Sequence, residues 1–369
     1  MTSGRQASST PAVLSPHQIR SDISSMSKRK YVLAAPKVSD VAHQRPTMEM
    51  VAELAGVSKI TVSRALRDSA LVRPEVRERI VEVAREIGYR LNTTARSLRT
   101  QRTHTIAVVI EKLVDGDRPA TDPILLLVLG SLLESLAAID HVMLVTTSDL
   151  FLASNNVSAD GVIMLGQGER GGRAAEVAAC GLPTVIWGHA GDTGLAVVGS
   201  DNRKGGELAA SHLLEIGRQR FVFLGNPKHP EVASRLDGVR GVLAESSAML
   251  VKASACDFSR PAGQRVVADL LDDGVQFDAV IAASDQIAAG ACDALSARGV
   301  AIPGDVAVVG YDDSSIALSN IPPLTSIRQD WALAGRALVE VVLSLINNRE
   351  SEVPGPLPVE LAVRASTIG

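Results

Sequence analysis

Aromatic residues are scarce: two Trp, three Tyr and five Phe make up 3% of the 369 residues. The cores must therefore be built mainly from Ala, Val, Leu and Ile. Cysteine is nearly absent. Cys180, Cys256 and Cys292 are an odd number with no metal-ligand spacing, which argues against a disulfide framework or a metal site and suits a reducing cytosol. No apolar run approaches the roughly 20 residues that cross a bilayer. The longest, around Ile124–Leu133, contains Gly130 and Ser131 and reads as a buried helix. The first residues lack a signal-peptide core, so an exported binding protein is disfavoured and a cytoplasmic location with no membrane partner is expected. The seven histidines are scattered without H-E-x-x-H, and no G-x-S-x-G elbow is present.

What is present is divided unevenly. Residues 1–103 carry 18 basic and 9 acidic side chains, a balance of +9, whereas residues 104–369 carry −13. A basic module for a polyanion joined to an acidic body follows from that asymmetry. Residues 1–44 are rich in Ser, Pro, Ala and Gln, hold no helical or strand period, and read as a disordered tail.

Residues 45–90 read as three helices. Thr47 is suited to cap the first, with Val51, Leu54 and Ala55 on its inner face. Ala55-Gly56-Val57 supplies a tight turn. Ser58 caps a second helix with Val62, Ala65 and Leu66 inside. Pro74 opens a third that stops at Gly88. In a helix-turn-helix the second helix enters the major groove. Its exposed residues here are Ser58, Lys59, Ile60, Thr61, Ser63 and Arg64. Arg64 can bond guanine in a bidentate manner, Lys59 can reach guanine or phosphate, and Ile60 can offer apolar contact to a thymine methyl. Thr47, Thr61 and Ser63 are short donors suited to phosphate oxygens.

From Thr105 apolar runs alternate with amphipathic helical stretches. The runs are Ile106–Ile110, Val142–Val145, Gly161–Leu165, Thr184–Trp187, Phe221–Leu224, Ala279–Ala283 and Val306–Val309, with Val359–Val363 as a last strand. This rhythm predicts parallel sheets covered by helices. Some 265 residues exceed one comfortable sheet, so two lobes and a cleft are expected.

The run Pro46–Leu66 resembles the headpiece of the lac repressor/galactose repressor family. Gly88-Tyr89-Arg90-Leu91-Asn92 and Ala95-Arg96-Ser97-Leu98-Arg99 resemble its third-helix end and hinge helix. The resemblance implies an all-α helix-turn-helix headpiece with a hinge at 91–104. An α/β two-lobed, periplasmic-binding-protein-like effector domain with parallel sheets would follow at 105–369. Lobe 1 would comprise about 105–199 and 331–357, and lobe 2 about 200–328 and 358–369. It further implies that Lys59, Ile60 and Arg64 read bases. Leu98 would wedge into a minor-groove step, flanked by Ala95 and Arg96, with Asn92 at the hinge entry. Met50, Leu91 and Arg67 depart from the family pattern.

The same resemblance extends to Arg235-Leu236-Asp237-Gly238, Ala282-Ala283-Ser284-Asp285-Gln286, Val308–Asp313 and Pro322–Asp330. It implies an effector site with Arg235, Ser284, Asp285 and Asp312 as polar ligands. Phe258 and Trp331 would be its aromatics, and Asp122 would come from the first-lobe loop. Carboxylates and an Arg fork satisfy sugar hydroxyls, while an aromatic covers the ring face. Two departures stand out. Thr121-Asp122-Pro123-Ile124 replaces the familiar Asn-Pro-Phe-Phe, and the stretch between Val145 and Gly161 is short, so one first-lobe helix must be reduced or lost.

An enzyme is the strongest rival. Gly166-Gln167-Gly168-Glu169-Arg170-Gly171 is a literal G-x-G-x-x-G, the dinucleotide fingerprint. It follows the third strand of the body rather than the first, and the next strand ends in Gly188-His189 rather than in an acid for the ribose. Gln167 is therefore read as an effector-loop residue, with no cofactor and no catalysis. An activator, or a repressor that needs a purine-type co-repressor, keeps the fold and changes the role. The reading adopted is a repressor that binds pseudo-palindromic operator DNA as a homodimer and responds to a small effector, a sugar.

Overall fold

The computed structural model describes residues 46–66, 71–89, 102–111, 122–154, 157–167, 172–189, 194–349 and 353–368. The chain divides into two compact units, Met1–Leu91 and Asn92–Gly369. The expected tail at 1–44 lies outside the described residues. So does the hinge up to residue 101, with Asn92, Ala95, Arg96 and Leu98.

In the first unit, α1 (Met48–Leu54), α2 (Lys59–Ala65) and α3 (Pro74–Glu86) close on Val51, Ala55, Val62, Ala65, Ile80 and Ala84. Thr47 Oγ1 accepts from Met50 N at 3.3 Å and Ser58 Oγ from Thr61 N at 3.2 Å, so both short helices start on a side-chain cap. Gly56, at φ +63°, turns the chain between them. Leu54, expected inside, is exposed. The covered line of α1 is Val51–Ala55, one turn apart, with Ala52 beside it, and Leu54 falls on the uncovered side.

The second unit holds two sheets. Lobe 1 runs β1 (Thr105–Ile110), α4 (Pro123–Ala137), β2 (Val142–Thr147), α5 (Ser148–Ala153), β3 (Gly161–Leu165), α6 (Gly172–Ala178), β4 (Thr184–Trp187) and β5 (Ala196–Val198). Its strands are all parallel, in the order β2-β1-β3-β4-β5. The pleat sends Ile106, Val108 and Ile110 to one core and Ala107 and Val109 to another, so both faces need helices. The stretch between Val145 and Gly161 holds the six-residue α5, a shortened helix.

Lobe 2 runs α7 (Asn202–Glu215), β6 (Arg220–Leu224), α8 (Pro230–Ala244), β7 (Met249–Ser254), α9 (Arg260–Asp272), β8 (Ala279–Ala282), α10 (Asp285–Ala297), β9 (Ala307–Asp312), α11 (Ser315–Ser319) and β10 (Thr325–Gln329). After α12 (Trp331–Ile346) comes β11 (Val359–Ala362). The sheet order is β11-β10-β9-β8-β6-β7, with β10 and β11 antiparallel. Helix α12 belongs to lobe 1, where Leu338, Val342 and Ile346 join the core of β1 and β3. The chain passes between lobes near Ser200, Asp330 and Leu357. Ser200 and Leu357 bridge in parallel, with Leu357 N donating to Gly199 O at 2.8 Å. The last described residues are bound into lobe 2. Buried Ser366 donates Oγ to Val308 O at 2.6 Å and accepts from Thr325 N at 2.8 Å.

Candidate functional site

On α2, Ser58, Lys59, Ile60 and Arg64 are exposed, and Thr61 and Ser63 are half-buried. Ile60 keeps 65% of its surface in solvent. The Lys59 ammonium pairs with Glu49 on α1. That exposed pair contributes little to stability and leaves Lys59 exchangeable. The Ser58 hydroxyl is also 2.9 Å from Thr61 Oγ1, so the first turn of α2 is organised before anything binds.

In the second unit, the carboxyl ends of the parallel strands of lobe 2 and the adjoining crossover carry a connected polar hub. Arg235, on the second turn of α8, is buried with 6% exposure. Its Nε donates to Asn202 Oδ1 at 2.9 Å, and its Nη1 donates to Ala283 O at the end of β8. Its guanidinium carbon lies 3.5 Å from the centroid of the Tyr311 ring, a cation–π stack shielded from water. Only glycine permits this helix to sit so close. A Cβ on Gly206 of α7 would come 2.0 Å from Arg235 O. Tyr311 leads into Asp312, whose Oδ1 accepts from Gln329 Nε2 at 2.6 Å, and Gln329 Oε1 accepts from Ser200 Oγ at 2.6 Å. Burial pushes the Tyr311 hydroxyl up to about 12, so it stays a neutral donor. A guanidinium has five N–H donors; here Arg235 gives donors to Asn202 and Ala283 and also bonds Tyr311.

Trp331 follows this hub by two residues and packs against Trp187 at the end of β4, ring centroids 5.6 Å apart. Both indoles are half-buried. A cavity of about 590 Å³ adjoins the hub. Gly188 and His189 of lobe 1, the Gly199–Arg203 crossover, and Ser234 and Asp237 of α8 are among its walls. Its crossover residues Ser200 and Asn202 are also members of the hub. Arg235 and Asp312 thus lie in one network at the strand ends of lobe 2, and Trp331 follows it in sequence; none of the three is among the cavity's walls.

Four expected ligands are used otherwise. Ser284 Oγ accepts from Ile287 N at 3.3 Å as the cap of α10. Asp285 accepts from Ser314 N at 2.7 Å, Ser314 Oγ at 2.9 Å and Ser326 Oγ at 2.6 Å, which ties α10 to β10 and the turn after β9. Its carboxyl is 1% exposed, and burial pushes its pKa up to about 7 against those donors. Gln167 clamps the backbone of His189 with both ends of its amide, Nε2 to the carbonyl at 2.9 Å and Oε1 from the N–H at 3.0 Å. Asp122 caps α4 by accepting from Ile124 N at 3.0 Å and is 2% exposed. These groups act as braces, their polar atoms already engaged by backbone or hydroxyl partners that would otherwise be left unpaired. Phe258 is likewise a core residue of lobe 2, 3% exposed and edge-on to His229 at 5.6 Å. The residues sequence reasoning missed are Asn202, Ser200, Tyr311, Gln329 and Trp187. Tyr311 and Gln329 sit inside motifs already singled out, and Trp187 is one of only two tryptophans.

Residues 47–92 match the bacterial regulatory proteins of the lacI family, and residues 210–367 match a periplasmic binding protein-like domain. The regulator CelR of Thermobifida fusca is 34% identical over 341 residues, covering 88% of this chain and 98% of CelR. The chain belongs to the LacI family. The regulator GntR of Pseudomonas aeruginosa is 31% identical, covering 88% of this chain and 96% of GntR. Among solved structures, the lac repressor dimer bound to operator and the anti-inducer ONPF is similar, with a TM-score of 0.78 and 26% identity over 88% of this chain and all of that one. A CelR–cellobiose complex matches with a TM-score of 0.62 and 30% identity over 87% of this chain and all of that one. These relatives are transcriptional regulators; residues 168–171 of the glycine fingerprint lie outside the described residues, and the Gln167 side chain occupies the gap between the β3 and β4 ends.

Proposed function

We propose that this LacI-family protein is a sequence-specific transcriptional repressor that releases its operator when a sugar binds between the two lobes of its second unit. The observation that carries the reading is the buried Arg235–Tyr311–Asp312–Gln329 hub beside the Trp187–Trp331 pair. Charge-assisted donors and a carboxylate fit vicinal hydroxyls, and an indole fits the apolar face of a sugar ring. On α2, Lys59, Ile60 and Arg64 read bases, while Thr47, Ser58, Thr61 and Ser63 contact phosphates. Asn92, Ala95, Arg96 and Leu98 supply the hinge contacts in the minor groove.

Each headpiece reads one half-site, so the working form is a twofold dimer. A surface for it is present on lobe 1. Leu126, Leu127 and Leu133 of α4 are exposed, and on the same face of the sheet the edge strand β2 exposes Val145. An exposed apolar helix face of this kind marks a partner surface.

The test is a thermal-shift screen of the full chain against cellobiose, lactose, ribose, a purine and NAD, followed by operator release with any compound that stabilises. A ligand raises the melting temperature by mass action. Stabilisation by a sugar that also lowers operator affinity is the expected result. Stabilisation by NAD alone, or by a purine that tightens operator binding, refutes the sugar-induction reading.

A further inference from the structure

We propose that Arg102 is the positioning residue through which the effector cleft acts on the chain leading to the DNA-binding unit, with helix α12 as the rod between them. The proposal rests on the reading of an effector-controlled repressor.

The rod is defined at both ends. Trp331 is the first residue of α12 and stands against Trp187 at the carboxyl end of β4. Its carbonyl oxygen accepts from Ser131 Oγ of α4 at 2.5 Å, so this end is fastened to lobe 1 as well as to the cleft. The helix continues to Ile346 without Pro and lies antiparallel to the strands beneath it. At the far end a Cβ on Gly161, the first residue of β3, would come within 2.8 Å of Ile346 Cδ1. Sixteen residues at a rise of 1.5 Å span about 24 Å, from the carboxyl edge of the sheet to its amino edge.

Arg102 is bound where the rod ends. Its Nη2 donates to Ile346 O at 2.9 Å and to Asn347 Oδ1 at 3.2 Å. The last carbonyls of a helix lack intrahelical donors and carry the negative end of its dipole, so a guanidinium is favoured there. The next residues are fixed to the sheet by a separate device. Asp160, just before β3, accepts from Thr103 N at 2.6 Å, Thr103 Oγ1 at 2.8 Å and His104 N at 2.8 Å. Residues 103 and 104 are therefore tied to the strands and residue 102 to α12. A small slide or tilt of α12 against the sheet, driven by what Trp331 contacts, changes the strain at the junction between residues 102 and 103. Residues before 102 lead covalently to the first unit, so that strain is delivered where hinge geometry is set. A rigid helix with a partner at each end is one of the packed elements that carry coupling when it has two arrangements, and the slide of α12 is the second arrangement.

The chain supplies its own reporter, because Trp187 and Trp331 are its only tryptophans. Coupling is reciprocal, so DNA bound at one end must alter the cleft at the other. The full chain is allowed to select a duplex from random DNA. Wild type, Arg102→Gln and Arg102→Lys are then titrated with it, binding being read by anisotropy of labelled duplex and the cleft by tryptophan emission. In wild type, emission is expected to shift on saturation with duplex. In Arg102→Gln the duplex binds but the emission shift at saturation is largely lost. Arg102→Lys keeps most of the shift, since an ammonium still serves the helix terminus. An unchanged shift in Arg102→Gln overturns the proposal, as does wild-type protein that binds duplex without any change in emission. Loss of duplex binding by Arg102→Gln at an unchanged melting temperature also overturns it, because Arg102 would then serve binding itself. Failure of the wild type to enrich any duplex refutes the operator-binding reading on which the proposal stands, and the anisotropy arm makes that outcome separate.

Discussion

Replacing Arg235 by Met separates ligand from scaffold. Methionine keeps much of the volume and removes the charge. Two acceptors lose their donor, Ala283 O and Asn202 Oδ1. Each buried acceptor left unpaired costs about 1–3 kcal/mol. The stack on Tyr311 is worth roughly 2 kcal/mol when desolvated. Two effects offset these losses. The Tyr311 hydroxyl, 3.5 Å from Asn202 Oδ1, can close on it, and burying a guanidinium is itself costly. The expected net destabilisation of the second unit is about 2–4 kcal/mol, measured by urea unfolding followed by circular dichroism. Sugar binding should weaken at least about 100-fold, since the remaining donors of the fork are charge-assisted. Calorimetric titration with the sugar found by thermal shift reads this directly. A variant that is destabilised yet binds the sugar as wild type does would show that Arg235 is a brace like Asp285. A variant of unchanged stability would refute the hub as described.

Asp285→Asn should lower stability at every pH and also remove a pH dependence. The raised carboxyl pKa, about 7 against an ordinary 3.8, means the folded protein holds a proton that the unfolded chain releases. Its contribution is complete below the unfolded value and is lost as pH rises towards 7, with a slope of up to about 1.4 kcal/mol per unit. Urea midpoints for wild type and variant between pH 4.5 and 8 should converge as pH rises; parallel curves would contradict this. The double variant Leu126→Glu, Leu133→Glu should weaken dimerisation at least about 1000-fold, because each leucine counts twice across a twofold axis. Sedimentation of an unaltered dimer would rule out the α4 face.

The alternating runs from Thr105 were legible because most strands of a doubly covered sheet are nearly continuous apolar stretches. Three strands escaped for separate reasons. β5 has only three residues. β7 is a sheet-edge strand carrying Lys252 and exposing Met249. β10 reads Thr-Ser-Ile-Arg-Gln, a polar sequence that is buried because Ser326 and Gln329 pair with Asp285 and Asp312. The apolar run Ile124–Leu133 suggested a wholly buried helix, yet Leu126 and Leu133 face solvent, since periodicity cannot tell a core from a surface awaiting a partner. The candidate site was legible by neighbourhood more than by role. Ser284, Asp285 and Gln167 stand at the carboxyl ends of strands and Asp122 at a helix start, places where ligands and helix caps draw on the same side chains. Only the geometry shows that their polar atoms are already engaged.

The return of α12 to lobe 1 sets an order of events on the ribosome. The strands β1 to β5 are synthesised first, but the helix that covers Ile106, Val108 and Ile163 emerges only after nearly all of lobe 2. Lobe 2 in turn waits for β11 and Ser366. Lobe 1 cannot close before α12 has emerged, nor lobe 2 before β11, so a nascent chain stalled before residue 331 presents an uncovered valine-rich sheet. Such surfaces recruit chaperones or aggregate. The interleaving of the two lobes thus makes synthesis a vulnerable stage.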